Sequence, residues 1–351
     1  MIASLARPRL PGDSRVSHTP PCHPYSIIGI KQWNILLEAA SLNTAVADHR
    51  EALLYLYDYC NYKCNYCLLN ADFYVKREHS RATTPEGVDS IIEFFSTAPG
   101  WRVLLTGGEP TLHPEFLRLC QGLAKHNLLR LDTNGSVDSD IFDRFTESIS
   151  PDRVDFIQFS LHEPDEDGQR LANYLHRVAR LRAAGYRAFV TYVAAPARLK
   201  SVPPLYRAFY TRNVPFVVTP LRTREYPAAY TDEERAFLDR YMSSAVHRAY
   251  LDINERRPKG RLCNAGRLRI NVDGVDGRIR GCWRSQRSIG NVYDGKLELS
   301  RDPVQCGNAT CSYVYEPCIC TEELVWADME NILNLEPIYD RELYRKLVTI
   351  G

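Results

Sequence analysis

Three cysteines lie within the eight-residue stretch Cys60-Asn61-Tyr62-Lys63-Cys64-Asn65-Tyr66-Cys67. An apolar run at residues 52–57 comes directly before it and predicts a buried strand that leads into this loop. Thiolates bind zinc and iron–sulfur clusters, and a tight loop can bring three of them to one centre. A closed structural zinc site takes four ligands, whereas a reactive site keeps one metal position open. The triplet therefore predicts a metal centre with an open position.

From residue 52 the chain alternates apolar, strand-like runs with amphipathic, helix-like segments. The strand-like runs are 52–57, 103–105, 128–131, 154–159, 188–193 and 216–218, and the helix-like segments are 86–96, 114–126, 138–148, 168–184 and 204–211. Units of this kind with near-continuous apolar strands predict a parallel sheet covered by helices. Six units in place of eight predict an α/β fold, a partial (βα)6 TIM-like barrel.

Polar residues follow the predicted strands at their C-terminal ends. Residues 107–110 (GGEP) follow the second strand, 132–135 (DTNG) the third, 160–163 (SLHE) the fourth and 219–222 (TPLR) the sixth. The C-terminal strand ends of such a barrel meet at one edge, where active sites lie. These residues and the cysteine triplet are therefore predicted to form a single site.

The spacing of Cys60, Cys64 and Cys67, together with GGEP at residues 107–110, resembles the radical S-adenosylmethionine (radical SAM) superfamily over about residues 50–250. The resemblance implies that the three thiolates bind a 4Fe–4S cluster and leave one iron free for S-adenosylmethionine. One electron from the cluster then cleaves a carbon–sulfur bond and gives a 5′-deoxyadenosyl radical. The cofactor carries this chemistry, and the protein fixes distances and excludes water.

The resemblance also implies the residues that contact S-adenosylmethionine, which are Tyr66, Gly107, Gly108, Glu109, Thr133, Asn134, Ser160 and Arg222. Tyr66 matches a position beside the adenine, and Glu109 supplies negative charge near the ammonium group. Residues 133–134 and Ser160 match positions near the ribose and the methionine carboxylate, which Arg222 could pair. Structural roles stay open: Tyr66 in the core, Glu109 fixing its turn, Ser160 in a turn, and Arg222 in a surface ion pair.

Six of the eleven cysteines lie between residues 263 and 320. Cys263, the later Gly277 and Cys282 on a predicted hairpin resemble the auxiliary-cluster domains called SPASM or Twitch. The resemblance implies at least one auxiliary 4Fe–4S cluster, with ligands among Cys263, Cys282, Cys306, Cys311, Cys318 and Cys320. Whether Cys306 and Cys311 or Cys318 and Cys320 complete it stays open, and a zinc site of four thiolates is the alternative.

The chain is accordingly divided into three parts: a proline-rich, partly flexible N-terminal extension (1–49), a radical SAM core (50–250) and an auxiliary-cluster domain (251–351).

Net charge is +1, from 44 basic and 43 acidic residues, which argues against a nucleic-acid partner. No apolar run of the sequence approaches the length of a membrane-spanning helix, and no signal peptide is recognised. We therefore expect a cytoplasmic protein without a membrane partner, in which cysteines bind metal rather than form disulfides.

The activity implied by the resemblance is that of a radical SAM oxidoreductase. Its substrate is expected to be a peptide or a small biosynthetic intermediate, and its electron donor a protein such as flavodoxin or ferredoxin. The auxiliary cluster would accept an electron and give net oxidation. Two alternatives remain: a redox-neutral lyase, decarboxylase or epimerase, and a non-enzymatic zinc or iron–sulfur electron carrier. The carrier would not explain six βα units with polar strand ends.

Overall fold

The computed structural model describes residues 50–64, 66–67, 81–137, 139–162, 169–221, 230–242, 259–260 and 262–308. Several sequence predictions therefore lie outside the described residues. These are the N-terminal extension 1–49, Arg222 and the cysteines Cys311, Cys318 and Cys320.

The described helices and strands alternate as the sequence predicts. The helices are α1 (Pro85–Thr97), α2 (Phe116–Ala124), α3 (Ser139–Ser148), α4 (Gln169–Ala183), α5 (Val202–Tyr210) and α6 (Asp232–Tyr241). The first strands are β1 (Arg50–Tyr55), β2 (Trp101–Thr106), β3 (Leu128–Thr133), β4 (Val154–Leu161), β5 (Ala188–Ala194) and β6 (Phe216–Pro220). The later ones are β7 (Leu262–Cys263), β8 (Arg269–Asp273), β9 (Arg278–Arg280), β10 (Ser288–Asn291), β11 (Lys296–Leu297) and β12 (Val304–Gln305).

Ten of the described strands form one sheet in the order β11-β10-β9-β8-β1-β2-β3-β4-β5-β6. Strands β1 to β6 are parallel neighbours, each joined to the next by a helical crossover. The α/β partial barrel is therefore confirmed. The predicted C-terminal hairpin, β8 and β9, does not stand apart from this sheet, because β8 pairs in parallel with β1. The core and the C-terminal region thus share one sheet, and the domain division at residue 250 stays a prediction.

One face of the parallel strands packs beneath the helices. Leu54, Leu105, Leu131, Phe159 and Val190 all point to this face and are fully or almost fully buried. Within a strand such buried residues recur at every second position, as Trp101, Val103 and Leu105 do on β2, because side chains alternate across a sheet. This layer is the hydrophobic core.

Two helices begin at capping residues, and a third begins later than the sequence predicts. Thr84 caps α1 by accepting a hydrogen bond from the Gly87 N–H at 3.1 Å. Thr231 and Glu234 form a capping box at the start of α6, since each side chain bonds to the other residue's backbone N–H. The helix predicted to open at Pro114 instead begins at Phe116. A short 3-10 turn at Pro110–Leu112 occupies the chain just before it.

The other face of the sheet carries a buried ion-pair network near the N-terminal strand ends. Glu51 on β1 pairs with Arg130 on β3 and Arg269 on β8. Arg130 also donates to Asp155 at 2.7 Å, and Arg187 lies 3.3 Å from the same carboxylate. Burial by itself would raise the pKa of Glu51, but Arg269 and Arg130 outweigh it and lower the pKa to about 2. The network therefore joins four strands, β1, β3, β4 and β8, through ionised groups.

We expect Glu51→Gln to destabilise the protein and to reduce its sensitivity to acid. The folded pKa of Glu51, about 2, lies below the ordinary value of 4.5. Its contribution is therefore complete above about pH 4.5 and is lost as the pH falls through about 2, and it amounts to about 3 kcal/mol. Urea unfolding at pH 7 and pH 3 measures it. Glu93→Gln, an exposed carboxylate on α1, is the control. Equal pH dependence in the two variants would contradict this role.

Candidate active site

The cysteine loop leaves β1 and turns back on itself within the triplet. The Cys67 N–H donates to the Cys64 carbonyl at 3.1 Å, and the Tyr62 N–H donates to the Cys60 sulfur at 3.4 Å. Cys60 and Cys64 are half-buried, and Cys67 is exposed. None of these thiols is in a disulfide. The loop therefore presents three free sulfurs at the C-terminal end of the first strand.

Burial changes the pKa of two of the three thiols, Cys60 and Cys64. Burial raises the pKa of Cys60 to about 11, although the Tyr62 N–H and Asn134 donate to it. Burial also raises the pKa of Cys64, partly offset by a hydrogen bond from Tyr66. Neutral thiols do not bind metal, so a bound positive centre must displace their protons near pH 7. In the metal-free protein Cys60 and Cys64 are therefore protonated thiols and not reactive thiolates.

The donor set of the loop is three thiolates, the ligand type that both zinc and iron–sulfur clusters take. A single zinc ion draws its thiolates within about 2.3 Å of one point. A cube takes each thiolate on a different iron and holds them further apart. Cys60, Cys64 and Cys67 would hold such a cluster.

The glycines of residues 107–110 allow two backbone segments to touch. The Gly108 N–H donates to the Tyr57 carbonyl at 2.7 Å, and the Glu109 N–H donates to the Tyr59 carbonyl at 2.8 Å. A Cβ on Gly108 would lie 2.1 Å from the Tyr59 oxygen, and Gly107 has φ +144°. The glycines therefore bring this turn against the start of the cysteine loop. Their approach to S-adenosylmethionine stays a prediction.

Glu109 fixes its own turn to the end of β3. Its side chain is buried and accepts hydrogen bonds from the Thr111 N–H and hydroxyl, the Thr133 hydroxyl at 2.8 Å and the Asn134 N–H at 2.6 Å. Burial raises the pKa of this carboxyl, and the four donors oppose the increase. The structural role that the sequence left open is thus present. Contact with an ammonium group stays a prediction.

Asn134 continues the connection from β3 to the cysteine loop. Its side-chain amide donates to the Asn61 side-chain carbonyl at 2.9 Å and contacts the Cys60 sulfur at 3.6 Å. Asn61 in turn donates to the Ser136 hydroxyl at 2.8 Å. Sequence reasoning missed Asn61, which lies inside the cysteine triplet, and Ser136, which directly follows residues 132–135. Only the folded chain shows that these two motifs bond to each other.

His162 and Arg198 were also missed, and both lie beside Tyr66. The Nδ1 atom of His162 is 2.7 Å from the Tyr66 hydroxyl and 3.0 Å from the Cys64 sulfur. The Arg198 guanidinium lies 4.3 Å from the centre of the Tyr66 ring. Burial, together with the charge of Arg198, lowers the pKa of His162 to about 4, so its ring is neutral at pH 7. Ser160 lies nearby on β4, in register with Thr191, and its role toward S-adenosylmethionine stays a prediction.

The C-terminal cysteines that the structure describes lie in one small unit. Cys263 pairs with Val304 in the two-stranded sheet of β7 and β12. The carbonyl of Cys306, just after β12, accepts a hydrogen bond at 2.7 Å from Gly260, just before β7. Asn308 contacts the Cys282 sulfur at 3.8 Å. All three cysteines are half-buried free thiols. Cys306 thus lies just after the strand that pairs with Cys263, and a shared auxiliary cluster stays a prediction.

Comparison with known proteins agrees with this geometry. Residues 54–196 match the family model of the radical SAM superfamily, and this segment of the chain belongs to that superfamily. Within the described residues, no helix has both the length and the apolar character needed to cross a membrane.

Two solved structures share the fold. Streptococcus suis SuiB bound to precursor peptide SuiA has a TM-score of 0.50 at 14% identity, over 79% of this chain and 71% of that one. The protein anSMEcpe with bound AdoMet has a TM-score of 0.50 at 15% identity, over 83% of this chain and 100% of that one. At these identities the likeness is one of fold.

The curated relatives match over shorter segments. A GTP 3',8-cyclase of Actinobacillus pleuropneumoniae serotype 3 (strain JL03) is 30% identical over 140 residues, which are 37% of this chain and 40% of that protein. A GTP 3',8-cyclase of Actinobacillus succinogenes (strain ATCC 55618 / DSM 22257 / CCUG 43843 / 130Z) is 32% identical over 81 residues, 22% and 24% respectively. The match therefore spans less than half of each relative.

We expect Gly108→Ala to destabilise the protein by about 1–3 kcal/mol, the usual effect of forcing extra volume into a packed site. The added methyl group would overlap the Tyr59 carbonyl, which belongs to rigid backbone and cannot rotate away. Urea unfolding measures the change. Gly307→Ala is the matched control, since a Cβ there meets no atom within 4 Å. Equal stabilities of the two variants would show that residues 57–59 and 107–109 do not pack as described.

Proposed function

We propose that this protein cleaves S-adenosylmethionine reductively at a 4Fe–4S cluster held by Cys60, Cys64 and Cys67. One observation carries the proposal: three free thiols lie on a loop that strand-end residues of a radical SAM domain hold in place. When bound, the cluster supplies the electron that converts S-adenosylmethionine into methionine and a 5′-deoxyadenosyl radical. A protein such as flavodoxin or ferredoxin would supply that electron.

The chain's own residues position the reactants. Glu109 and Asn134 fix the strand ends against the cysteine loop through buried hydrogen bonds, which limits their movement during the reaction. Tyr66 offers an aromatic ring beside the loop for the adenine, and Ser160 offers a hydroxyl from β4. The sheet encloses the radical on one side and shields it from water, which would otherwise allow side reactions.

We further propose that the reaction is a net oxidation of a peptide or a small biosynthetic intermediate. The adenosyl radical takes one hydrogen atom and leaves as 5′-deoxyadenosine. An auxiliary cluster, when bound, would accept one electron from the substrate, and one proton would leave to solvent. Cys263, Cys282 and Cys306 supply ligands for that cluster, completed from Cys311, Cys318 and Cys320. The contact between Trp283 and Tyr55, with ring centroids 5.4 Å apart, supports this, since it brings the Cys282 loop against β1.

Radical chemistry on a nucleotide is the second candidate. The curated relatives of the matched segment are GTP 3',8-cyclases. Anaerobic incubation with S-adenosylmethionine and GTP, or with extracts of the source cell, separates the candidates by mass spectrometry. Consumption of GTP would favour the second candidate. A product two hydrogens lighter than its substrate would favour net oxidation.

We expect Cys64→Ala to abolish cluster absorbance at the triplet and all release of 5′-deoxyadenosine, because two thiolates cannot retain the cube. The absorbance spectrum of the anaerobically reconstituted protein measures the cluster, and chromatography of its reaction mixture measures 5′-deoxyadenosine. Cys120→Ala is the control, a buried cysteine of α2 far from the loop in sequence, and it should retain both properties. Release of 5′-deoxyadenosine by Cys64→Ala would refute the assignment of the triplet.

We expect Cys282→Ala to distinguish the role of the C-terminal cysteines from that of the triplet. This variant should still release 5′-deoxyadenosine but should lose turnover of the substrate, since the first site is intact. Iron and sulfide counts should fall by the content of one cluster. Unchanged iron content would show that Cys282 is not a ligand, and bound zinc in the wild-type protein would favour the electron-carrier or structural alternative.

A further inference from the structure

His162 follows β4 directly and reaches back to the cysteine loop. Its Nδ1 atom lies 3.0 Å from the Cys64 sulfur and 2.7 Å from the Tyr66 hydroxyl. Its ring is held between aromatic neighbours: the Tyr66 ring is stacked at 6.0 Å between centroids, and the Tyr62 ring meets it edge-on at 5.0 Å. This is a rotationally restrained imidazole with one nitrogen directed at a proposed cluster ligand.

The position of one proton decides what this contact does. A neutral imidazole carries an N–H on only one of its two nitrogens. While Cys64 is a thiol, its S–H can donate to a bare Nδ1. A thiolate bound to iron has no proton to give, so the two lone pairs would repel at 3.0 Å if Nδ1 stayed bare. Ligation of Cys64 therefore favours the tautomer that carries the proton on Nδ1, where the N–H faces both the sulfur at 3.0 Å and the Tyr66 oxygen at 2.7 Å.

We propose that His162 donates a hydrogen bond from Nδ1 to the Cys64 thiolate and thereby raises the reduction potential of the S-adenosylmethionine-binding cluster. This inference rests on the proposed function, since it requires a cluster at the triplet. Hydrogen bonds to ligand sulfurs are one of the factors that set iron–sulfur potentials. The reduced cluster carries one more negative charge than the oxidised cluster, so a donor to its sulfur stabilises the reduced form more. The bond is charge-assisted and half-buried, which makes it stronger than one between neutral groups in water.

This role goes beyond holding the loop. The triplet alone decides whether a cluster binds, but the donor decides how readily the cellular electron donor can reduce it. His162 is thus a positioning and tuning residue and not a catalytic one, because it reaches the iron only through Cys64. Tyr66 helps to hold the imidazole in place, since its hydroxyl lies 2.7 Å from Nδ1 and its ring stacks on the His162 ring.

Two substitutions at His162 distinguish the contribution of the N–H donor from that of the side-chain volume. His162→Leu removes the donor and keeps a bulky apolar side chain. His162→Asn keeps an N–H group close to the position of Nδ1. His176→Leu is the matched control, an exposed histidine of α4 on the outer side of the sheet. Each reconstituted protein is titrated with a chemical reductant without S-adenosylmethionine, and the reduced cluster is followed by electron paramagnetic resonance.

For His162→Leu we expect about a tenfold fall in the ratio of reduced to oxidised cluster at a fixed potential, the effect of losing one hydrogen bond to a charged group. That fall equals a midpoint about 59 mV more negative for one electron. His162→Asn and His176→Leu should match the wild type.

The proposal is overturned if His162→Leu keeps the wild-type midpoint, or if His162→Asn shifts as far as His162→Leu does. If His162→Leu binds no iron, a wild-type midpoint in His162→Asn supports the donor role, and loss of iron in both overturns it. A wild-type protein without a cluster would refute the proposed function itself, which iron analysis shows separately.

Discussion

The backbone contact between residues 57–59 and residues 107–109 is the constraint on which the rest of the site depends. The pairing of β1 with β2 continues beyond both strands through hydrogen bonds to the Tyr57 and Tyr59 carbonyls. No side chain fits at Gly108, because a Cβ would overlap the Tyr59 oxygen. Cys60 is the next residue after this contact. The first sulfur of the triplet is therefore placed by main-chain pairing, which is stiffer than side-chain packing.

Hydrogen bonds of polar side chains also fix the end of β3 to the turn after β2 and to the cysteine loop. An unpaired carboxylate in this environment would be costly, yet the four donors around Glu109 satisfy it. Asn134 directly follows β3, and its side chain bonds to Asn61 and contacts Cys60. A network in which every member is bonded holds one geometry and resists others. This is why the loop can present its sulfurs in a defined arrangement before any cluster binds.

The two thiol-rich regions are linked by the sheet itself. Strand β8 lies against the free edge of β1, and Glu51 pairs with Arg269 across that junction. Trp283 contacts Tyr55, which precedes the cysteine triplet by five residues. A group of thiols separated from the triplet by about two hundred residues of sequence is thus built onto the same rigid frame. In such a frame the distance between Cys282 and the triplet does not depend on a mobile linker.

The sequence by itself determined the parallel βα architecture, the triplet and the gathering of polar strand ends, because these follow from local periodicity and short spacing. Cys60, Cys64, Cys67 and the GGEP turn could be named without a structure. Only the tertiary structure decided that Glu109 bonds to Thr133 and Asn134, that the glycines approach the chain's own backbone, and that His162 reaches Cys64. Such contacts join residues 24 to 98 positions apart, so no local pattern records them. The pairing of β8 with β1 belongs to the same class, since an edge strand's partner is chosen by the packing of the whole sheet and not by the residues of either strand.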